Sequence, residues 1–472
     1  MDMFVNGRWL GEGLQTIDVI NPATGENVDT VPFGGKEEAE LAVTAAYQAF
    51  RSWSAKTAAE RSEYLMRWFN LINEHKEEIA ELMTKEQGKP LQEALGEVQY
   101  ANSFIQWYAE EGKRVYGETI PASAPNKRII IQKQPIGVIA AITPWNFPAA
   151  MITRKVGPAL AAGCTAVVKP AEQTPLTALK LAELAEKAGI PAGVLNVVTG
   201  NAQEIGETWQ RDTRVRKLTF TGSTEVGKIL MRGAAETVKK ISLELGGHAP
   251  FIIMEDADLD AAATQVIASK YRNAGQTCVC ANRIFVQNSI AEEFTEKFSL
   301  AVKDLKIGNG LDKGVTIGPL IDKSALDKVE GQIKEAVEKG GEIVIGGKKL
   351  LSEKGHFFEP TILKNATDDM LCMNEETFGP LAPISTFETE EEVIERANNT
   401  PYGLAAYVFT QNIGRAIRIG ERLEYGIVGI NDGLPSVPQA PFGGWKESGL
   451  GREGGHYGID EYLEVKYLSV AF

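Results

Sequence analysis

Residues 36–112 carry apolar side chains at three- and four-residue intervals, the spacing that gathers them on one face of a helix. This pattern predicts helices over Glu37–Ser52, Thr57–Asn73 and Lys76–Gln87, and Gly88-Lys89-Pro90 breaks the run before a further helix, Leu91–Gly112. After Pro135 the texture changes. Short β-branched runs (Gly137–Thr143, Thr165–Lys169, Gly193–Val198, Lys217–Thr221) alternate with alanine-rich helical runs (Ala149–Ala162, Pro175–Ala188, Glu225–Thr237). Such alternation predicts a parallel sheet covered by helices on both faces and joined by right-handed crossovers. A second α/β region runs from around His248 to about Gly443. Lys127–Lys133 and Tyr462–Val470 are strand-like but fall outside the alternation. They read as arms that pair with each other or with a neighbouring subunit.

Length adds that 472 residues exceed one compact core, so two or three domains are expected. Apolar residues make up 43% and charged residues 24%, the balance of a soluble globular chain. A net charge of −14 argues against nucleic acid or an anionic membrane as the main partner. The start, Met1-Asp2-Met3-Phe4-Val5, lacks a basic region followed by an apolar run, and Val156–Val168 is interrupted by Gly157, Pro158 and Gly163. Neither a secretory signal nor a membrane span is expected. The cysteines are Cys164, Cys278, Cys280 and Cys372, too scattered for a disulfide framework and without zinc-like spacing to histidine. No metal is expected, and a reducing, cytoplasmic setting fits.

Gly275-Gln276-Thr277-Cys278-Val279-Cys280 sets a thiol among glycine and small polar residues, where a tight turn can leave sulfur open to a ligand. Upstream, Leu243-Glu244-Leu245-Gly246-Gly247 offers a strand-end acid before a glycine pair. A thiol and a base suggest covalent catalysis through a thioester, with the acid activating water. A cysteine serving only as a small buried apolar residue would look the same in isolation. Lys217–Gly227 reads as a strand, a glycine turn and a helix start, which suits a pyrophosphate. Its spacing is Gly-x-x-x-x-Gly, and a purely structural turn is equally compatible. Lys169 and Glu172 lie just past the carboxyl end of another strand, where a carboxylate can accept from a ribose hydroxyl; a solvated loop pair is the alternative. In Thr143-Pro144-Trp145-Asn146-Phe147-Pro148 two prolines brace Asn146, whose amide could stabilise an oxyanion or simply cap a helix.

Taken together and in this order, these motifs with Glu376-Thr377-Phe378-Gly379-Pro380 and Pro441-Phe442-Gly443-Gly444 resemble the aldehyde dehydrogenase superfamily from roughly residue 4 to residue 470. The resemblance implies an α/β fold of two Rossmann-like domains plus a small β oligomerisation arm. The implied boundaries are 1–117 and 136–246 for the dinucleotide-binding domain, 247–446 for the catalytic domain, and 118–135 with 447–472 for the arm. It implies Cys278 as nucleophile, Glu244 as general base for hydrolysis and Asn146 as oxyanion donor. Trp145, Lys169, Glu172, Gly222, Ser223, Gly227, Leu245, Glu376 and Phe378 would bind the dinucleotide. A carboxylate near the C-terminus is matched by Glu453 or Glu464. A nucleotide-free thiol esterase would share the acyl-enzyme half but leave Glu376, Phe378 and Lys169 without purpose.

Within that superfamily the segments Arg272–Arg283, Ala150–Lys155 and Gly449–Gly454 look most like succinate-semialdehyde dehydrogenases. A small aldehyde ending in a carboxylate needs cations, and arginine offers a planar two-point fork. Arg272 lies six positions before Cys278 and Arg154 eight after Asn146, and Ser436 could add a hydroxyl. Another small aldehyde, such as glutarate semialdehyde or a neutral one, is the alternative. Trp445, at a position where smaller residues are common, is expected to narrow the tunnel. NAD is expected over NADP, because Glu172 would face a 2′-phosphate as a like charge. The bare strand-like arms imply a homodimer or homotetramer. Cys280, two positions from the nucleophile, is a candidate redox partner for Cys278, and a small buried spacer otherwise.

Overall fold

In the computed structural model of the protein, residues 1–350 and 354–472 are described. The alternation after Pro135 folds into an eight-stranded sheet. Its strand order is Gly449–Leu450, Lys240–Glu244, Val215–Thr221, Val138–Ile142, Thr165–Lys169, Leu195–Val197, Met3–Val5 and Arg8–Leu10. The five central strands run parallel, and the pairings at both edges are antiparallel. Successive side chains of a strand point to opposite faces. Accordingly Val138 and Ala140 join one core cluster while Ile139 and Ala141 join another, so the sheet is buried on both sides.

The expected amphipathic helices form as Lys36–Ser54, Ala58–Glu74, Lys76–Gln87 and Leu91–Glu111. The helix Ala150–Ala162 is buried at every position, because it lies between the sheet and the helix Leu91–Glu111. This burial explains its uniform apolarity without a membrane, and no helix among the described residues is long and apolar enough to cross one.

A second sheet of seven strands runs in the order Glu342–Ile345, Thr361–Lys364, Leu381–Phe387, Ala281–Gln287, Ala249–Ile253, Ala405–Phe409 and Ile427–Ile430, around its own core. All its pairings are parallel except the first. The two arms pair with each other: Leu463–Ala471 runs antiparallel to Lys127–Pro135 from Leu463 opposite Pro135 to Ala471 opposite Lys127, and Glu118–Ile120 adds a third strand. Leu463–Ala471 forms one edge of this small sheet, with Val465 and Tyr467 more than half exposed. Gly449–Leu450 lies in the first sheet, not in this one.

Candidate active site

Cys278 sits where two cavities meet. One of about 340 Å³ is lined by Cys278 with Arg154, Arg272, Ser436, Phe147 and Phe442. The other, of about 490 Å³, is lined by Cys278 with Asn146, Gly222, Ser223, Leu245 and Glu376. Backbone geometry places the thiol there. Asn273, Ala274 and Gly275 take φ of 51°, 54° and 79° in succession, curling the chain out of the helix Leu259–Lys270. At Gly275 an added Cβ would lie 2.2 Å from the Gly379 carbonyl, so the turn closes only on glycine. Gly247 is needed for a different reason: its Cβ would lie 2.2 Å from the Cys278 carbonyl.

The half-buried thiol is electrostatically restrained. Burial pushes it up to about 12, with Glu376 and Glu244 adding to the rise and Arg154 and Arg272 opposing it. Asn146 is buried, and its Nδ2 donates to the Gln276 carbonyl at 3.1 Å, which aims the amide at the Cys278 loop. A second Nδ2 hydrogen remains for another acceptor.

Glu244 ends the strand Lys240–Glu244, buried and with neither carboxylate oxygen hydrogen-bonded among the described residues. It lines neither cavity wall. Burial raises its carboxyl well above the ordinary range, and the negative charge of Glu453 adds to this against Arg154 and Lys155. Of the two C-terminal carboxylates, Glu453 is the one near the site. It is buried between Lys155 and Arg154, with Arg154 Nε donating to it at 2.6 Å. Glu464 instead pairs with Lys240 at the surface, at 3.0 Å.

Arg154 is therefore already paired. Its Nη2 is nevertheless buried without a hydrogen-bond partner among the described residues, and its guanidinium stacks 3.9 Å over the Phe442 ring. Arg272 is half-buried, and its Nε has no hydrogen-bond partner among the described residues. An acid, Glu93, lines the same cavity and accepts from the Asn273 N–H at 2.7 Å; burial raises its carboxyl to about 7. No feature of the Leu91–Gly112 helical pattern marked it. Trp445 does not narrow the tunnel. Its backbone N–H donates to the Gly403 carbonyl at 2.8 Å, and the residue is 48% exposed and lines neither cavity.

In the larger cavity Trp145 and Phe378 meet edge to face, with ring centroids 5.5 Å apart. Glu376 accepts from the Gly247 N–H at 2.9 Å, and burial raises it to about 7. Ser223 caps the helix Thr224–Ala235, whose N-terminus thereby faces this cavity. Gly227, one turn in, packs against Leu245 and lines neither cavity. Lys169 and Glu172 also lie outside the lining residues, as an ion pair of 2.8 Å just past the strand Thr165–Lys169. Cys280 is fully buried with its sulfur 3.3 Å from Lys270 Nζ, and both it and Cys278 are free thiols.

Residues 9–468 match the model of the aldehyde dehydrogenase family, and the chain belongs to that family. Among curated relatives it is 58% identical to the succinate-semialdehyde dehydrogenase of Escherichia coli (strain K12) named for NADP(+), over 99% of this chain and 97% of that one. It is also 58% identical to a glutarate-semialdehyde dehydrogenase of Pseudomonas putida, over the same shares. A crystal structure described as an E. coli NADP-dependent enzyme superposes with a TM-score of 0.99 at 57% identity, covering 100% of this chain and 98% of that chain.

Proposed function

We propose that this protein oxidises succinate semialdehyde to succinate with NAD(P), through a thioester on Cys278. The observation that carries this reading is the junction at Cys278 of an arginine-bearing cavity with a second, larger one. The larger cavity suits a dinucleotide: it combines a capped helix N-terminus, an aromatic pair, and Gly246, whose added Cβ would lie 3.0 Å from Glu376. Trp145, Gly222, Ser223, Leu245, Glu376 and Phe378 would hold it there, with Lys169 and Glu172 at the ribose and Gly227 keeping the helix close. The dinucleotide supplies the hydride acceptor.

The chain's own residues do the rest. Cys278 first gives up its proton to solvent; its Sγ then bonds to the aldehyde carbon as the carbonyl π pair moves onto the oxygen, to which Asn146 Nδ2 and the Cys278 N–H donate. Glu244 then takes a proton from the water that releases the acid. Arg272, Arg154 Nη2 and Ser436 receive the distal carboxylate, which distinguishes a semialdehyde from a neutral aldehyde. The chain would function in the cytoplasm, with 1–117 and 136–246 binding the dinucleotide together with 447–462, which packs into the first sheet, 247–446 supplying the thiol, and 118–135 with 463–471 joining subunits as a homodimer or homotetramer.

The test is Arg272→Met assayed with succinate semialdehyde, glutarate semialdehyde and a neutral aldehyde. Loss of a charged hydrogen bond of about 2–3 kcal/mol should raise KM for the semialdehydes about 30- to 150-fold. The neutral aldehyde should change by no more than about threefold. Equal losses on all three would refute carboxylate recognition. A glutarate semialdehyde kcat/KM above that for succinate semialdehyde in the parent would reassign the substrate.

Cofactor choice rests on Glu172, held 2.8 Å from Lys169, where its charge would oppose a 2′-phosphate. NAD should give the higher kcat/KM. In Glu172→Gln the NADP-to-NAD ratio should rise about tenfold, the equivalent of about 1.4 kcal/mol of removed repulsion. A parent enzyme that prefers NADP, as the name of the E. coli relative indicates for that protein, would overturn this assignment.

A further inference from the structure

Gly88-Lys89-Pro90 breaks the helical run in sequence, yet Lys89 is 1% exposed and faces the turn that carries Asn146. Its Nζ donates to the Asn146 carbonyl at 2.7 Å and to the carboxylate of the equally buried Glu97. The other Glu97 oxygen accepts from the N–H groups of Ala149 and Ala150, at 3.0 and 3.3 Å, at the start of the helix Ala150–Ala162. A second donor, Asn273 Nδ2, reaches the same Asn146 carbonyl at 3.1 Å and the Gln276 carbonyl at 3.3 Å. Gln276 is in turn the acceptor of the Asn146 side-chain amide. Gln87 Nε2 holds the Asn273 amide oxygen at 2.9 Å.

Two donors on one carbonyl fix the plane of the Asn146–Phe147 peptide and so anchor the Cα that bears the Asn146 side chain, whose amide is held in turn by the Gln276 carbonyl. Burying a lysine is costly, and it is tolerated here because Glu97 compensates the charge and a carbonyl takes a further N–H. An apolar residue would pack in the same space at lower cost if packing were all that the position required. We propose that Lys89 is a positioning residue for the oxyanion donor: through the Asn146 carbonyl, and jointly with Asn273, it holds the Asn146 amide in register with Cys278. The inference rests on the role of Asn146 proposed above.

A double-mutant cycle separates positioning from general stability. Acylation is read as the pre-steady-state burst of reduced cofactor in the parent, Lys89→Met, Asn146→Ala and the double variant, with thermal unfolding and NAD affinity recorded for each. Lys89→Met should slow acylation about 10- to 100-fold with NAD affinity unchanged, as expected when a reacting group is displaced by a fraction of an ångström. In the Asn146→Ala background the same substitution should change the rate by less than about twofold. Should Lys89→Met not fold, Asn273→Gly carries the same cycle, since glycine takes φ of 51° freely while losing the amide. Parental acylation by Lys89→Met, or a slowing that multiplies undiminished onto Asn146→Ala, would overturn the proposal alone. Parental acylation by Asn146→Ala would remove the underlying assignment, and this inference with it.

Discussion

Replacing Cys278 by alanine is expected to abolish aldehyde oxidation, by roughly 10⁴-fold or more, while NAD binds with parental affinity. On the proposed mechanism the thiol supplies the bond to the substrate carbon, and no other group is assigned that step. It contributes one atom at the margin of the larger cavity, whose shape is set by Trp145, Gly222, Glu376 and Phe378. Steady-state turnover and NAD titration by fluorescence would be run on the same preparation. Residual oxidation above about 1% of the parent, or a lost NAD affinity, would contradict the assignment. The resting thiol, raised to about 12 by burial, also predicts that the parent's acylation rate climbs with pH across the neutral range.

Glu244→Gln should separate the two halves of the reaction. Acylation does not need the carboxylate, so a stoichiometric burst of reduced cofactor should persist. Deacylation should then fall roughly 10²- to 10⁴-fold, the usual contribution of a general base. The sign of the pH effect follows from the environment. A carboxyl raised by burial and by Glu453 is protonated at low pH and cannot accept a proton, so parental deacylation should accelerate as pH rises through the raised value. The variant should lack this limb. An unchanged steady-state rate, or the same pH limb in the glutamine variant, would exclude Glu244 as the base. Because Glu244 lines neither cavity wall, a side-chain rotation toward Cys278 is part of the expected cycle.

Much of the architecture was legible because periodicity reports burial directly. The four helices from Lys36 to Glu111 and the parallel strands match their predicted spans to within a few residues, and the two arms pair in the anticipated way. Contacts between distant segments were not legible. Arg154 could be read as a carboxylate receptor, but its pairing with Glu453 joins positions separated by 299 residues and leaves no local trace. Lys89 was hidden differently. Glycine and proline on either side of a lysine signal an exposed turn, and only the packing of Glu97 and Asn146 around it makes the position buried. Trp445 shows the reverse error: its place next to the glycine pair suggested a tunnel wall, yet it is half-exposed against Gly403 and lines neither cavity.

The short strand Gly449–Leu450 and the buried Glu453 beyond it bear on how the protein is made. Chains emerge from the ribosome N-terminus first, and domains ordinarily fold as they appear. Here the first sheet lacks its edge beside Lys240–Glu244, and Arg154 and Lys155 lack their counter-charge, until the chain has been synthesised past Glu453. Two cations stranded in an apolar interior are strongly destabilising. A nascent or prematurely terminated chain ending before Gly449 would thus hold an incomplete, proteolysis-prone first sheet, which is completed only in molecules translated past Glu453.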